Sequence, residues 1–317
     1  MPSPKEIKEQ VKSEANRRGR LAVPAFAGGF LYLLGGIVAS TTLKGAPTVG
    51  LLQGLAPAFN GEVNPSVSPR TGEVKFISHH AFPLIAGSTI SAIAVIVLTL
   101  VLLLLVDATR FRRPSSWAAA RPLVLIGGIG LAVLTIGHQA ISSLQTHSFA
   151  VGHDFSSNAV DKALTKGAAN EITEYVDLIA GLALMAAMIG TSLGALRVGL
   201  LPRWMAILGC FTGVLIFLPI GGATLEVVPS FWLVMMGILY VGKWPNGEPP
   251  AWQAGEARPW PSAAERRAEL GEQRAAKQGA KGQPALSAAG ADIAPAPAQP
   301  VSSGGSRKRR RKRGARG

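Results

Sequence analysis

The side chains of this sequence best suited to metal chemistry are five histidines, all of which fall near predicted membrane surfaces. Neutral imidazoles together with a carboxylate are common ligands of zinc, copper and haem iron. The set that one site at the outer surface would use is His138, His147, His153 and Glu174. Their spacing matches no short metal motif, because HExxH, CxxCH and EF-hand sequences are absent. Histidines solvated in a wet loop are the simpler interpretation, which we favour, and we expect no cofactor.

His138 differs from the other histidines because it falls inside a predicted span. An ionisable group within a bilayer is costly and is by default a functional candidate. Its position near the outer end of the span would also let it reach water or bond a backbone carbonyl. The single cysteine, Cys210, excludes an intrachain disulfide and a zinc site built on several thiolates. P-loop and DNA-reading motifs are absent, so we do not expect an enzyme.

The elements that would position these groups are transmembrane helices. The chain has 317 residues, of which 48% are hydrophobic and only 16% charged. A soluble domain usually carries about a quarter charged residues, so the deficit indicates a membrane protein. The clearest span runs from Leu84 to Val106 without a charge or a proline. At about 1.5 Å per residue it covers the roughly 30 Å hydrocarbon core of a bilayer.

Hydropathy predicts six such segments, so the expected fold is all-α, a six-helix transmembrane bundle with a disordered basic cytoplasmic tail. A re-entrant segment is an alternative for the sixth, which would place the tail outside. Small residues at Ala25, Gly29 and Gly36 fall near one face of the first helix and indicate a helix–helix contact. The predicted spans are about 22–43, 84–106, 122–143, 175–196, 204–222 and 226–244.

Charge sets the orientation, since Lys and Arg collect on the cytoplasmic side of membrane spans. With six spans, the polar N-terminus (1–20), the loops 107–121 and 197–203 and the tail all lie on one side. We therefore predict that both termini are cytoplasmic. The first apolar run is longer than the core of a cleaved signal peptide, which favours a retained span.

The predicted tail, 245–317, is rich in Pro, Ala and Gly, and it ends in an unbroken basic run. Such a composition cannot bury enough apolar surface to offset chain entropy. The basic run would bind anionic lipid headgroups, our preferred interpretation, or alternatively RNA or an acidic cytoplasmic protein. Its members are Arg307, Lys308, Arg309, Arg310, Arg311, Lys312 and Arg313.

Several short motifs resemble a group of functionally uncharacterised integral membrane proteins common in actinobacteria. They are Ala195–Arg203 (ALRVGLLPR), Phe231–Trp232, Gly242–Pro245 (GKWP), Pro249–Glu256 and Pro259–Pro261. The resemblance implies a multi-span helical fold in a bacterial plasma membrane. It carries no activity, cofactor or functional residues with it, and the basic run lies outside it.

These observations lead us to expect a non-enzymatic scaffold or regulatory component that is tethered through its basic tail. One alternative is a metal- or haem-binding membrane protein that uses the outer histidines. Another is a small-solute transporter. The transporter hypothesis meets a difficulty, since spans one, two, five and six show no ionisable group deep in the bilayer, which coupled carriers generally need.

Overall fold

The computed structural model describes residues 3–61, 66–152, 154–166, 168–218, 226–245 and 247–260, with a few single positions between 265 and 275. At 57, 58, 165, 166 and 168–171 it describes the backbone alone. The chain divides into two units, Met1–Trp260 and Pro261–Gly317. The architecture described below is that of the first unit.

Across the described residues the chain is helical and contains no strand, as the sequence predicts. Four helices are long and apolar enough to cross a bilayer, namely α1, α4, α5 and Ile172–Val198 of α7, and they identify a membrane protein. The elements are α1 (Pro4–Leu43), α2 (Leu51–Phe59), α3 (Thr71–His79), α4 (Ala81–Arg112), α5 (Ala120–Val151), α6 (Ser157–Asp161), a π-helical turn (Lys162–Lys166), α7 (Ala168–Val198), α8 (Arg203–Phe217), α9 (Val227–Val241) and α10 (Pro250–Ala254).

Helix α4 forms the centre of the bundle, where it packs against α1, α5 and α7. Its residues Leu98, Leu102 and Leu105 are fully buried, which accounts for the unbroken apolar run in the sequence. Helix α1 lies between α4 and α9, and α7 lies between α5 and α8. Glycines set the close crossings, since a Cβ at Gly87 would lie 3.1 Å from the Gly35 carbonyl oxygen. Small residues of this kind let helix backbones approach in lipid.

Helices α8 and α9 are shorter, at about 22 Å each for 15 residues. They pack against one another, and the Trp232 indole N–H of α9 donates to the Met205 carbonyl of α8 at 3.2 Å. The Trp204 and Trp244 rings stack at 5.4 Å between centroids, which places the start of α8 beside the end of α9. Helix α9 therefore runs back to the end of the bundle at which α8 begins.

A buried ion pair holds this end of the bundle, which we call the charged end because it carries Glu14, Arg18, Arg112 and Glu248. The Arg112 guanidinium donates two hydrogen bonds to the Glu14 carboxylate, at 2.9 and 2.7 Å. Both side chains are almost completely excluded from solvent. Arg112 also donates to the carbonyl oxygens of Ala251 and Ala108. Each of its nitrogens is thus hydrogen-bonded, as a buried guanidinium requires.

The segment 247–260 packs onto the charged end, so the folded unit extends beyond the predicted tail boundary at 245. Trp252 of α10 is fully buried, and its indole N–H donates to the Leu200 carbonyl at 3.0 Å. The guanidinium of Arg18 lies 4.5 Å from the Trp252 ring centroid and forms an ion pair with Glu248. The start of the predicted tail is therefore integral to the bundle, since its tryptophan fills a gap that the helices leave.

The opposite end, which we call the histidine end because His79, His80 and His147 lie there, has a small apolar cluster of its own. Val74, Phe149 and Val160 are buried together there, with Phe155 packed against them. The loop 66–70 joins this cluster through a hydrogen bond from the Ser68 N–H to the Phe155 carbonyl at 2.8 Å.

Candidate functional site: an acceptor-lined cavity in the bundle

A cavity of about 310 Å³ lies among α1, α4, α5 and the facing ends of α8 and α9. It occupies the half of the bundle nearer the histidine end, because its α4 lining runs from Leu84 to Val95. Its size falls at the lower end of the range for small-ligand pockets. The polar groups of its lining are Tyr32, Ser88, Ser91, Thr135, Gln139 and Glu226.

Glu226 supplies the only carboxylate among the described lining residues. It is the N-cap of α9, and its backbone carbonyl accepts hydrogen bonds from the Ser230 hydroxyl at 2.7 Å and the Ser230 N–H at 3.1 Å. Its side chain lies against Gly36 of α1, where any Cβ would overlap the carboxylate. Gly36 therefore makes the space that admits this acidic group into the interface of α1 and α9.

The described lining of the cavity offers the Glu226 carboxylate no countercharge. Its Oε2 atom is buried without a hydrogen-bond partner among the described residues. No Lys, Arg or His belongs to the described lining. A buried carboxylate oxygen in that state is costly unless a cation or a proton compensates it. Either a bound cation or a proton on the carboxylate would therefore stabilise this group.

The hydroxyl groups of the lining add to the negative potential of the cavity. Ser88 donates its proton to the Ile85 carbonyl at 2.9 Å, and Thr135 donates to the Leu131 carbonyl at 2.7 Å. A hydroxyl group that donates its hydrogen bond to a backbone carbonyl can still accept hydrogen bonds through the lone pairs of its oxygen. Together with the carboxylate, these two hydroxyl oxygens offer acceptors to a ligand, and Tyr32 and Gln139 add donor groups to the same lining.

The predicted metal ligands do not form a comparable site. His138, His147 and Glu174 have exposed side chains, and His153 lies outside the described residues. Among the residues that are described, no three His, Cys, Asp or Glu side chains cluster as a metal site would require. His138 interacts electrostatically with Asp177 of α7 instead. Because His153 lies outside the described residues, the metal site stays a prediction.

Asp154, a further acidic residue near the histidines, stabilises the local backbone. The Asp154 carboxylate accepts a hydrogen bond from the Ser156 N–H at 3.0 Å, which holds the pKa of that carboxyl below its ordinary value. Ser156 in turn caps α6. This pattern is an ordinary turn into a helix and needs no metal.

The basic run Arg307–Arg313 lies outside the described residues. Its interaction with anionic lipid, RNA or an acidic protein therefore stays a prediction.

Sequence reasoning missed Glu226 as a functional residue. Its carboxylate lies in the cavity lining, and the expectation that span six has no ionisable group deep in the bilayer stays a prediction. The residue falls at the predicted end of that span, where a carboxylate would ordinarily be solvated. Its place in the bundle depends on its contact with Gly36, which lies on a distant helix. A single sequence does not show that these two residues meet.

Comparison of the chain with protein-family models, with curated proteins and with solved structures found no match. The functional conclusion accordingly rests on the geometry of the cavity.

Proposed function

We propose that this protein is a six-span protein of a bacterial plasma membrane that binds small monovalent cations in the Glu226 cavity and carries them across the bilayer. The observation that carries the proposal is the half-buried Glu226 carboxylate, whose Oε2 atom is buried without a hydrogen-bond partner among the described residues and which has no basic partner in the described lining. Intramembrane carboxylates that face a cavity commonly mark ion pathways.

The six-span count is supported by the arrangement of α8 and α9. Each is shorter than a full hydrocarbon core, but their flanking residues can extend the crossing and a bilayer can thin locally. Helix α9 packs extensively along α1, one of the long helices. Residues 14–18 of α1 and residues 248–252 meet at the charged end, as an even number of crossings requires.

The proposed orientation places the charged end in the cytoplasm. Arginines in the ranges 107–121 and 197–203 flank that end, in accordance with the positive-inside rule. The cavity then faces the outer half of the membrane. The Glu14–Arg112 pair and Trp252 close the cytoplasmic end below it. A cation would enter from outside and exchange its hydration shell for the Glu226 carboxylate and the hydroxyl oxygens.

The test is uptake into liposomes that contain the purified full-length chain, with methylammonium, Na⁺ and K⁺ as the probes. We expect at least one probe to enter faster than in protein-free liposomes. The variant Glu226→Gln keeps the shape of the side chain but loses its charge, so uptake should fall to the protein-free level.

The matched control is Glu174→Gln, since Glu174 is exposed near the same end of the bundle and lies outside the cavity lining. This control should transport as the unsubstituted protein does. Equal uptake by both variants, or uptake of none of the three probes, would refute the proposal.

A further inference from the structure

A second cavity, of about 260 Å³, opens at the charged end between the last turns of α4 and α7 and the loop 113–119. It is separate from the Glu226 cavity and shares no lining residue with it. Three guanidinium groups belong to its lining, those of Arg110, Arg113 and Arg197. Both helices have their C-terminal ends here, and three full positive charges outweigh the partial negative charge of those ends.

The three arginines have no carboxylate partner in the part of the chain that the structure describes. The described lining of the cavity contains no acidic residue. Asp107, one turn before Arg110, forms ion pairs with Arg17 at 3.3 Å and Arg121 at 3.7 Å instead. The positive charge of the cavity is therefore available to an external anion.

Unpaired hydroxyl groups complete the polar lining. Thr109 and Thr191 are 6% and 3% exposed, and neither hydroxyl oxygen has a hydrogen-bond partner among the described residues. The Ser116 hydroxyl is likewise buried and unpaired. Polar groups buried in this way ordinarily have partners, so three around one cavity indicate a ligand that accepts hydrogen bonds. Arginine and hydroxyl donors together match the oxygens of a phosphate group.

The surroundings of the cavity favour a phosphate that belongs to a lipid. The Trp117 ring lies over Gly190 so closely that a Cβ at that glycine would overlap it. Trp117 remains 44% exposed, as is typical of tryptophans at the membrane interface. Leu193 lines the same cavity and is 39% exposed, which gives an acyl chain an apolar exit.

We propose that this cavity, formed by Arg110, Arg113, Arg197, Thr109 and Thr191, binds the phosphate group of an anionic phospholipid. The site is independent of the predicted tail interaction and of cation transport. The guanidinium groups neutralise the headgroup, and the threonine hydroxyls donate hydrogen bonds to its free oxygens.

The test is native mass spectrometry of the full-length protein in detergent. The probes are short-chain phosphatidylglycerol, short-chain phosphatidylcholine and inorganic phosphate. We expect saturable binding of phosphatidylglycerol and much weaker binding of the zwitterionic lipid. In the triple variant Arg110→Gln, Arg113→Gln, Arg197→Gln, affinity should fall about 100-fold, at about fivefold for each arginine.

The matched control is the triple variant Arg20→Gln, Arg203→Gln, Arg258→Gln. It removes the same charge from exposed positions at the charged end that do not line the cavity. The control should bind phosphatidylglycerol almost as the unsubstituted protein does. The double variant Thr109→Val, Thr191→Val keeps every charge, and it should weaken binding about 10-fold through the lost hydrogen bonds.

Three possible results distinguish a lipid site from a site for soluble phosphate and from nonspecific binding. Selective loss in the cavity variants supports the site. Inorganic phosphate that binds as tightly as the lipid would overturn the lipid assignment and leave a site for soluble phosphate. Equal loss in both triple variants, or no effect of the threonine substitutions, would overturn the site itself, because nonspecific surface charge would then explain the binding.

Discussion

The substitution Arg112→Met should destabilise the bundle strongly. It removes the partner of a Glu14 carboxylate whose side chain is only 2% exposed. It also removes the donors to the Ala251 carbonyl, which help to hold α10 on the charged end. Breaking a buried ion pair by deleting one partner costs about 3–5 kcal/mol, because the other charge stays buried alone. At about 2–4 °C for each kcal/mol, the melting temperature should fall by roughly 6–20 °C.

The companion variants distinguish this explanation from a general loss of packing. The double variant Glu14→Met, Arg112→Met buries no unpaired charge, so it should recover most of the stability lost in the single variant. The control Arg70→Met breaks the partly exposed pair with Glu73, at 2.9 Å, and should cost less than about 1 kcal/mol. The measurement is thermal unfolding of the purified full-length protein in detergent, followed by tryptophan fluorescence. If Arg112→Met and Arg70→Met melted alike, the buried-pair explanation would be refuted.

Two further predictions follow from the same contacts. Replacing Gly36 by alanine places a Cβ where the Glu226 carboxylate lies. Cation uptake in the liposome assay should therefore fall sharply. Unchanged uptake would show that Glu226 need not occupy this position. A chain that ends at Trp260 should melt at the temperature of the full chain, whereas one that ends at Trp244 should melt several degrees lower, because it lacks the buried Trp252. If the two truncated chains melted together in a calorimeter, the segment 247–260 would not belong to the fold.

The membrane helices were predictable because a bilayer imposes both length and apolarity on them. The predicted span 84–106 lies within α4, and 122–143 lies within α5. Helix ends were harder to predict, since α1, α4, α5 and α7 continue past their apolar segments into polar residues outside the predicted spans. There the helix is sustained by caps and tertiary contacts, such as the Ser3–Glu6 capping box at the start of α1.

The interactions that close the charged end were not predictable from one sequence. Glu14 and Arg112 each resemble the solvated charges that flank any span, and only the packing of α1 on α4 brings them together. Trp252 follows a stretch rich in proline and glycine, which by composition indicates a tail. Its burial depends on a gap between distant helices, which local composition does not reveal.

Water access to the Glu226 cavity tests the central claim most directly. In a Cys210→Ser background, a cysteine replaces either Ser91, which lines the cavity, or Ile93, which is 46% exposed on the outer surface of the same helix. A membrane-impermeant, positively charged thiol reagent is then added at the histidine end of the reconstituted protein. We predict that Ser91→Cys reacts, that Glu226→Gln slows this reaction, and that Ile93→Cys stays unmodified in lipid. If Ser91→Cys were as inert as Ile93→Cys, or if Glu226→Gln left its rate unchanged, the cation cavity would be contradicted.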